Sequence, residues 1–329
     1  MGSSKQNILY VFPGQGSQYP GMGSDLHREY ATARIVYEQA SDVLGYDMAE
    51  LSFSDPEDQL NLTRYTQPAL LTHSIACLEV FRELTGDRLK PAVAAGHSLG
   101  EYSALVAAKA LSFEGALKLV QKRGELMSEH GLGEMSAFPL DFDTIRPIAN
   151  RHYCSIAGCN LPEQTVIGGR GEDLERVEQE VREKFPRKRP VRLKTEGAFH
   201  TYYMVKAAQL MKPVLETAQF EATDVRVLSN FMGSYHEPDP VDIRARLFFQ
   251  LFHPVLWHAN LQTALADGID MIFEFGGGIG KAEEPEGKRP NLEGMIKKTL
   301  RASDHEAGYL SVINSGTMSE AADRVTSPD

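Results

Sequence analysis

Ala92-Val-Ala-Ala95 is a short apolar run that leads without a break into Gly96-His97-Ser98-Leu99-Gly100, and an Ala/Leu-rich segment follows at once. A buried strand, a turn flanked by glycines and a helix therefore adjoin one another. Such a junction arises where a strand inside a sheet hands the chain to a helix lying on that sheet, which commits the region to a layered α/β architecture. The neighbouring segments fit that frame. Residues 8–12 (Ile-Leu-Tyr-Val-Phe) read as a buried strand closed by Pro13-Gly-Gln-Gly-Ser-Gln18. Apolar residues recur at helical spacing over 25–44, with Gly45 as the stop, and a second helix is expected over 69–84. Ser112 is a fitting N-cap for a helix to about residue 129.

The rhythm then changes. Residues 135–140 read as a strand, 143–151 as a helix, 153–157 and 165–167 as strands, 172–185 as a helix and 191–194 as a strand. That β-α-β-β-α-β order is the pattern of a ferredoxin-like unit. Strand–helix alternation resumes afterwards, with helices over 202–218, 243–251, 257–265 and 292–300 and strands at 225–228 and 271–275. This implies a mainly parallel sheet covered on both faces. The expected division is a discontinuous large domain, 1–131 and 199–303, a small inserted domain, 132–198, and a polar C-terminal tail, 304–329, with its final ten or so residues disordered.

At 329 residues the chain can bury a substantial core. No apolar run approaches the ~20 residues that span a bilayer, and Met1-Gly-Ser-Ser-Lys5 lacks the apolar stretch of a secretory signal. Cys77, Cys154 and Cys159 lack paired spacing, so neither a disulfide framework nor a metal site is expected, and a cytoplasmic setting fits. A net charge of −11 argues against nucleic acid as partner. The clearest basic stretch, residues 182–194, is either a solvated helix end or a face for an acidic partner.

Chemistry concentrates at few residues. In a strand–turn–helix context, Ser98 reads as an exposed nucleophile, with the following helix aiming N–H groups at developing negative charge. A serine hydroxyl needs a base. Ten histidines are available, and His200 stands out because it lies where the small domain returns to the large one, a place where clefts form. The Leu99 N–H is a natural oxyanion donor, and Gln15 in the glycine-rich loop 13–18 is expected to supply the second. That loop is no nucleotide site: Tyr19 replaces the last glycine of the dinucleotide pattern and no Walker lysine is present. Arg123, beside Gly124 in an otherwise helical segment, could hold a carboxylate through two parallel hydrogen bonds.

Taken together, Val11-Phe-Pro-Gly-Gln-Gly-Ser-Gln18, Thr66-Gln-Pro-Ala-Leu70, residues 96–105, Arg123-Gly124, Ala198-Phe-His200 and residues 250–257 resemble the malonyl-CoA:acyl carrier protein transacylases, including the free-standing acyltransferases of polyketide synthases. The resemblance spans about residues 8–280. It implies an α/β-hydrolase-like large domain, with Ser98 as the acylated nucleophile, His200 as its base and Gln15 and Leu99 as oxyanion donors. It further implies that the Gln250 carbonyl holds the histidine ring, its side chain being dispensable, and that Arg123 pairs with the malonate carboxylate. Phe199 and His97 are assigned with Arg123 to substrate binding. No cofactor or metal is implied. Malonyl-CoA is the expected substrate, an acyl carrier protein the partner, and the chain is expected to act as a monomer. The chain departs from the pattern at Gly276-Gly-Gly278 and at the charged stretch 281–290, which is either a surface loop or a change at the pocket mouth. The expected reaction is a ping-pong transfer in fatty acid or polyketide synthesis. The alternatives are transfer of a larger acyl chain between carrier proteins, hydrolysis of carrier-bound acyl groups and a non-catalytic scaffold.

Overall fold

Every residue of the first strand, β1 (Ile8–Phe12), is buried, and side chains alternate across a strand. Ile8, Tyr10 and Phe12 accordingly fill one core, while Leu9 and Val11 fill another. In the computed structural model, which describes residues 6–326, those two cores are the two faces of one sheet. After β1 come α1 (Ser24–Glu29), α2 (Ala31–Leu44), α3 (Met48–Phe53), α4 (Thr63–Thr85), β2 (Val93–Gly96), α5 (Gly100–Ala107) and α6 (Phe113–His130). The middle of the chain holds β3 (Glu134–Phe138), α7 (Phe142–Arg151), β4 (Ser155–Leu161), β5 (Gln164–Gly169), α8 (Gly171–Lys184) and β6 (Val191–Leu193). It is followed by α9 (Val205–Thr217), β7 (Arg226–Ser229), β8 (Ser234–Tyr235), α10 (Pro240–Gln250), α11 (Trp257–Ala266) and β9 (Met271–Phe275). The last elements are α12 (Glu293–Ala302), β10 (Gly308–Val312) and α13 (Ser315–Thr326).

The large sheet runs β10-β9-β1-β2-β7-β8. Its first five strands are parallel and β8 is an antiparallel edge. The second sheet, β4-β5-β3-β6, is antiparallel throughout. Helices α7 and α8 bury Ile145, Ile148, Leu174, Val177 and Val181 against it in a separate core. Backbone bonds beside the cleft tie β4 of the small sheet to the α10–α11 connection of the large unit: Cys159 N donates to Val255 O at 2.8 Å and Val255 N to Ala157 O at 3.0 Å.

Three expectations need correction. The single helix expected over 25–44 is two helices, broken at Tyr30, whose backbone is extended. Arg34 Nη1 takes the His27 carbonyl left free at the end of α1, at 2.9 Å. The helix expected from 69 starts at Thr63 and carries Pro68 inside it. Most important, residues beyond 303 are no tail. β10 extends the sheet beside β9, with Leu310 and Val312 in the main core, and α13 continues to Thr326. Asp25 holds the start of α13 by accepting from Ser315 N at 2.6 Å. Disorder expected over the final ten residues therefore fails for 320–326, while its last three positions, like the reading of Met1–Lys5, lie outside the described residues. Among the described residues no helix is long and apolar enough to cross a membrane.

Candidate active site

The turn at Ser98 is built by what cannot fit there. A Cβ on Gly96 would lie 1.8 Å from the Gly100 carbonyl carbon, and one on Gly100 would lie 2.2 Å from the Phe12 carbonyl oxygen. Only glycines let β2, the turn and α5 pack this closely. Ser98 sits at φ 53°, a conformation L residues rarely adopt. Asn230, just past the end of β7, braces it: its Oδ1 accepts from Ser98 N at 2.6 Å and its Nδ2 donates to Gly96 O at 2.7 Å. The site thus gathers beyond the carboxyl ends of β1, β2 and β7, where open α/β sheets place their ligands.

His200 also has a positive φ, 60°, and its ring is oriented at both nitrogens. Nδ1 lies 2.8 Å from Gln250 O and Nε2 lies 2.7 Å from Ser98 Oγ. A carbonyl can only accept, so Nδ1 carries the proton and Nε2 is left to accept from the serine hydroxyl. Burial, reinforced by the nearby Arg123 charge, pushes the His200 pKa down to about 3. The imidazole is therefore neutral at pH 7, the state a base requires.

Arg123, on α6, is 1% exposed. Its Nη1 donates to Gln67 Oε1 at 2.8 Å, and its Nη2 donates to Gln250 Oε1 at 3.0 Å and to Ser98 Oγ at 3.2 Å. Among the described residues its Nε has no partner and no carboxylate bonds to it directly, Glu101 reaching it only through the Gln250 amide. Burial lowers its pKa, yet a guanidinium stays charged. Gly124 explains this depth: a Cβ there would meet Thr63 O at 2.7 Å, so glycine lets α6 lie close on α4, which carries Gln67.

Gln15 and Leu99 both face the cavity. Among the described residues neither backbone N–H finds an acceptor, which leaves both able to donate to an incoming oxygen. The Gln15 side chain is tethered to Thr63 Oγ1 at 3.1 Å. His97 reaches across the cleft to Asn160 Oδ1 at 2.9 Å, linking the nucleophile turn to β4. Phe199 is buried in the wall. The cavity holds about 900 Å³, and Met135, Ala157 and Val166 of the small sheet form much of its apolar side. Among the described residues no group of three or more His, Cys, Asp or Glu side chains is placed to hold a metal.

The structure thus brings every residue singled out in the sequence to one cavity or its immediate wall. One side chain has more contacts than the sequence suggested. Expected to be dispensable, the Gln250 amide is instead engaged at both ends: it donates to Ser98 O and to Glu101 Oε2, both at 2.9 Å, and accepts from Arg123. Sequence reasoning also missed Asn230, Gln67 and Glu101. Gln67 and Glu101 lay inside motifs already noted, and Asn230 carried the signal of a polar residue at the carboxyl end of an expected strand. The charged stretch 281–290 is a surface loop pinned by buried Pro285, whose carbonyl accepts from Asn314 Nδ2 at 2.8 Å. Only its continuation, Asn291 and Leu292, reaches the cavity. In the basic stretch, Arg182, Lys184, Lys188 and Arg192 are already in ion pairs with Glu178, Glu180, Glu163 and Glu134.

Comparison with known proteins agrees with this geometry. Residues 9–272 match the family described as acyl transferase domain. A malonyl CoA-acyl carrier protein transacylase of Bacillus subtilis is 35% identical over 320 residues, covering 93% of this chain and 96% of the relative. BaeC of Bacillus velezensis, a polyketide biosynthesis malonyl CoA-acyl carrier protein transacylase, is 38% identical over 82% of this chain and 93% of its own. Among solved structures, the malonyl CoA-acyl carrier protein transacylase of Coxiella burnetii superposes with a TM-score of 0.87 at 32% identity, covering 98% of this chain and 99% of that one. A malonyl-transacylase solved in complex with its type II polyketide synthase acyl-carrier protein gives 0.86 at 32% identity, covering 97% and 100%. With a family match over most of its length and relatives aligned nearly end to end, the chain belongs to the acyl transferase domain family.

Proposed function

We propose that this protein transfers a malonyl group from CoA to the phosphopantetheine thiol of an acyl carrier protein. The observation that carries this reading is Arg123: a buried guanidinium 3.2 Å from the Ser98 hydroxyl, with an unused N–H and no carboxylate of its own. A buried charge is costly unless paired, and the free carboxylate of a malonyl group is the partner the site lacks. The relatives' names point the same way.

In the first half-reaction His200 Nε2 takes the Ser98 proton as Oγ bonds to the thioester carbonyl carbon. The oxyanion is held by the Gln15 and Leu99 amides. The C–S bond then breaks, the proton passes to the leaving CoA sulfur, and a malonyl ester remains on Ser98 with its carboxylate on Arg123. In the second half-reaction the carrier's thiol gives its proton to His200 as its sulfur bonds to the ester carbon; the Oγ–C bond then breaks, the proton returns to Ser98 Oγ, and the malonyl group leaves as a thioester of the carrier. His200 works without a carboxylate third member, since Gln250 O fixes its tautomer. CoA and pantetheine thioesters enter as substrates, and the steps as written call on no resident metal or cofactor.

The finer architecture belongs to the same reading. We take the parallel-sheet unit as α/β-hydrolase-like and residues 132–198 as an inserted ferredoxin-like domain, which the order β4-β5-β3-β6 supports. We take the acting unit as a single cytoplasmic chain, because the residues of one chain suffice to assemble Ser98, His200 and Arg123 at one cavity. An acidic carrier would meet Arg187, Arg189 and Lys194, the cations of the 182–194 stretch that make no ion pair, with Lys194 at the cavity mouth. Hydrolysis or transfer of a larger acyl chain is disfavoured, because either leaves the Arg123 guanidinium beside Ser98 without a substrate carboxylate to bind.

Intact mass measured after brief exposure to malonyl-CoA, methylmalonyl-CoA and acetyl-CoA tests the reading. A malonyl adduct absent from Ser98→Ala and weak with the other donors is expected. No adduct from any CoA donor would contradict it.

A further inference from the structure

Glu101 lies three residues from the nucleophile and is fully buried. A buried carboxylate is tolerated only where its oxygens are satisfied. Oε2 accepts from Asn230 N and from Gln250 Nε2, both at 2.9 Å. Oε1 lies 2.7 Å from His236 Nε2, and both side chains are almost wholly shielded from solvent. A carboxylate accepts and the imidazole must donate, so His236 Nε2 carries a proton. Among the described residues His236 Nδ1 has no partner, and Glu101 is the group its ring binds. The β7–β8 hairpin delivers Asn230 and His236 together, closed by His236 N donating to Val227 O at 2.8 Å.

The consequence falls on the Gln250 amide. Both of its N–H groups are engaged, one with Glu101 and one with Ser98 O, so its oxygen is turned toward Arg123. Reversing the amide would set an NH₂ against a guanidinium and an oxygen against a carboxylate. Glu101 therefore decides which end of the amide Arg123 meets. The backbone of that same residue holds His200.

We infer that Glu101 and His236 form a positioning pair that fixes the Gln250 amide and so keeps the Arg123 guanidinium aimed at the substrate carboxylate. His236 touches no substrate and acts through Glu101 and Gln250. The inference rests on the malonyl-transfer reading. It predicts that loss of the His236 donor weakens discrimination between donors that carry a carboxylate and donors that do not.

The test is the rate of Ser98 acylation by malonyl-CoA and by acetyl-CoA in the wild type, His236→Phe and His236→Gln, with unfolding midpoints measured alongside. His236→Phe should lose about tenfold in kcat/KM for malonyl-CoA, the size expected for one hydrogen bond to a charged group, with little change for acetyl-CoA. His236→Gln, which retains an amide donor, should recover most of the discrimination. Equal losses for both donors, or identical behaviour of the two variants, would overturn the inference. If His236→Phe does not fold, His236→Asn, too short to reach Glu101, takes its place with the same expectations. A wild type that accepts no malonyl group removes the underlying reading, whereas a discriminating wild type matched by its variants overturns the positioning role alone.

Discussion

The six-stranded and four-stranded sheets meet at one cavity and furnish it differently. From the large sheet and its helices come polar side chains that are buried and bound at more than one atom: His200 at both nitrogens, Arg123 through Nη1 and Nη2, Gln250 through all three of its polar groups. From the small sheet come apolar wall residues, Met135, Ala157 and Val166, and the side-chain bond of Asn160 to His97 across the cleft, while Glu196, beyond its last strand, accepts from Thr63 N and Ser128 Oγ at the rim. Many ionised groups of the small unit face outward in ion pairs such as Arg192 with Glu178 and Lys188 with Glu163, while Lys194 and Glu196, at its return to the large unit, stand at the cavity mouth. Chemistry therefore resides in one unit, while the other limits what fits. A fixed reacting geometry needs buried, over-determined polar groups, whereas a wall can vary without disturbing them.

This contrast can be broken at several points. The largest expected effect is Ser98→Ala, which should abolish the acyl adduct in intact mass measurements. His200→Ala should lower acylation about 10²–10⁴-fold in stopped-flow or quench assays, the range for a lost general base. Trimming the wall beside the base is milder. Phe199→Ala should raise the kcat/KM ratio of methylmalonyl-CoA over malonyl-CoA by about tenfold, the worth of one methyl group in an apolar pocket. A side chain lent by the small sheet should matter least, so Asn160→Ala should change malonyl kcat/KM by about threefold or less, since it severs one neutral hydrogen bond. A loss near that of His200→Ala would erase the contrast. The last expectation is an absence of effect. A histidine with an ordinary pKa near 6.5 would lose half its neutral form at that pH. With His200 pushed down to about 3, acylation kcat/KM should stay level from pH 7.5 to 5.5.

The legibility of the sequence follows the same division. Ser98 and its glycines could be read because sterics leave few residue choices at such a turn, and the fold places them where the pattern says. Arg123 was visible through the unusual glycine beside it, whose close helix contact the structure contains. The small sheet's order was readable from strand–helix rhythm. What escaped were residues whose roles depend on distant partners. Asn230 and His236 act on Ser98 and Glu101, more than a hundred residues away; only the position of Asn230 at the end of an expected strand hinted at a role, and nothing local marks His236. Gln250 was read as a backbone contact because its side-chain partners, Glu101 and Arg123, come from α5 and α6. The final strand and helix were missed because small, polar residues surround the one apolar run beyond residue 303, Tyr309-Leu-Ser-Val-Ile313. Only pairing with β9 and the Asp25 contact to Ser315 make it structure.

The most direct test of the central claim, that a buried cation in the large unit is held for the substrate carboxylate, is donor preference in Arg123→Ala. Acylation by malonyl-CoA and by acetyl-CoA would be compared in the variant and the wild type. The account predicts a loss of about 10²-fold or more for malonyl-CoA, consistent with removal of a charge-assisted, water-excluded contact, and acetyl-CoA acylation retained or increased, so that the preference reverses. Parallel losses for both donors would contradict it and would make Arg123 a support for the fold around Ser98.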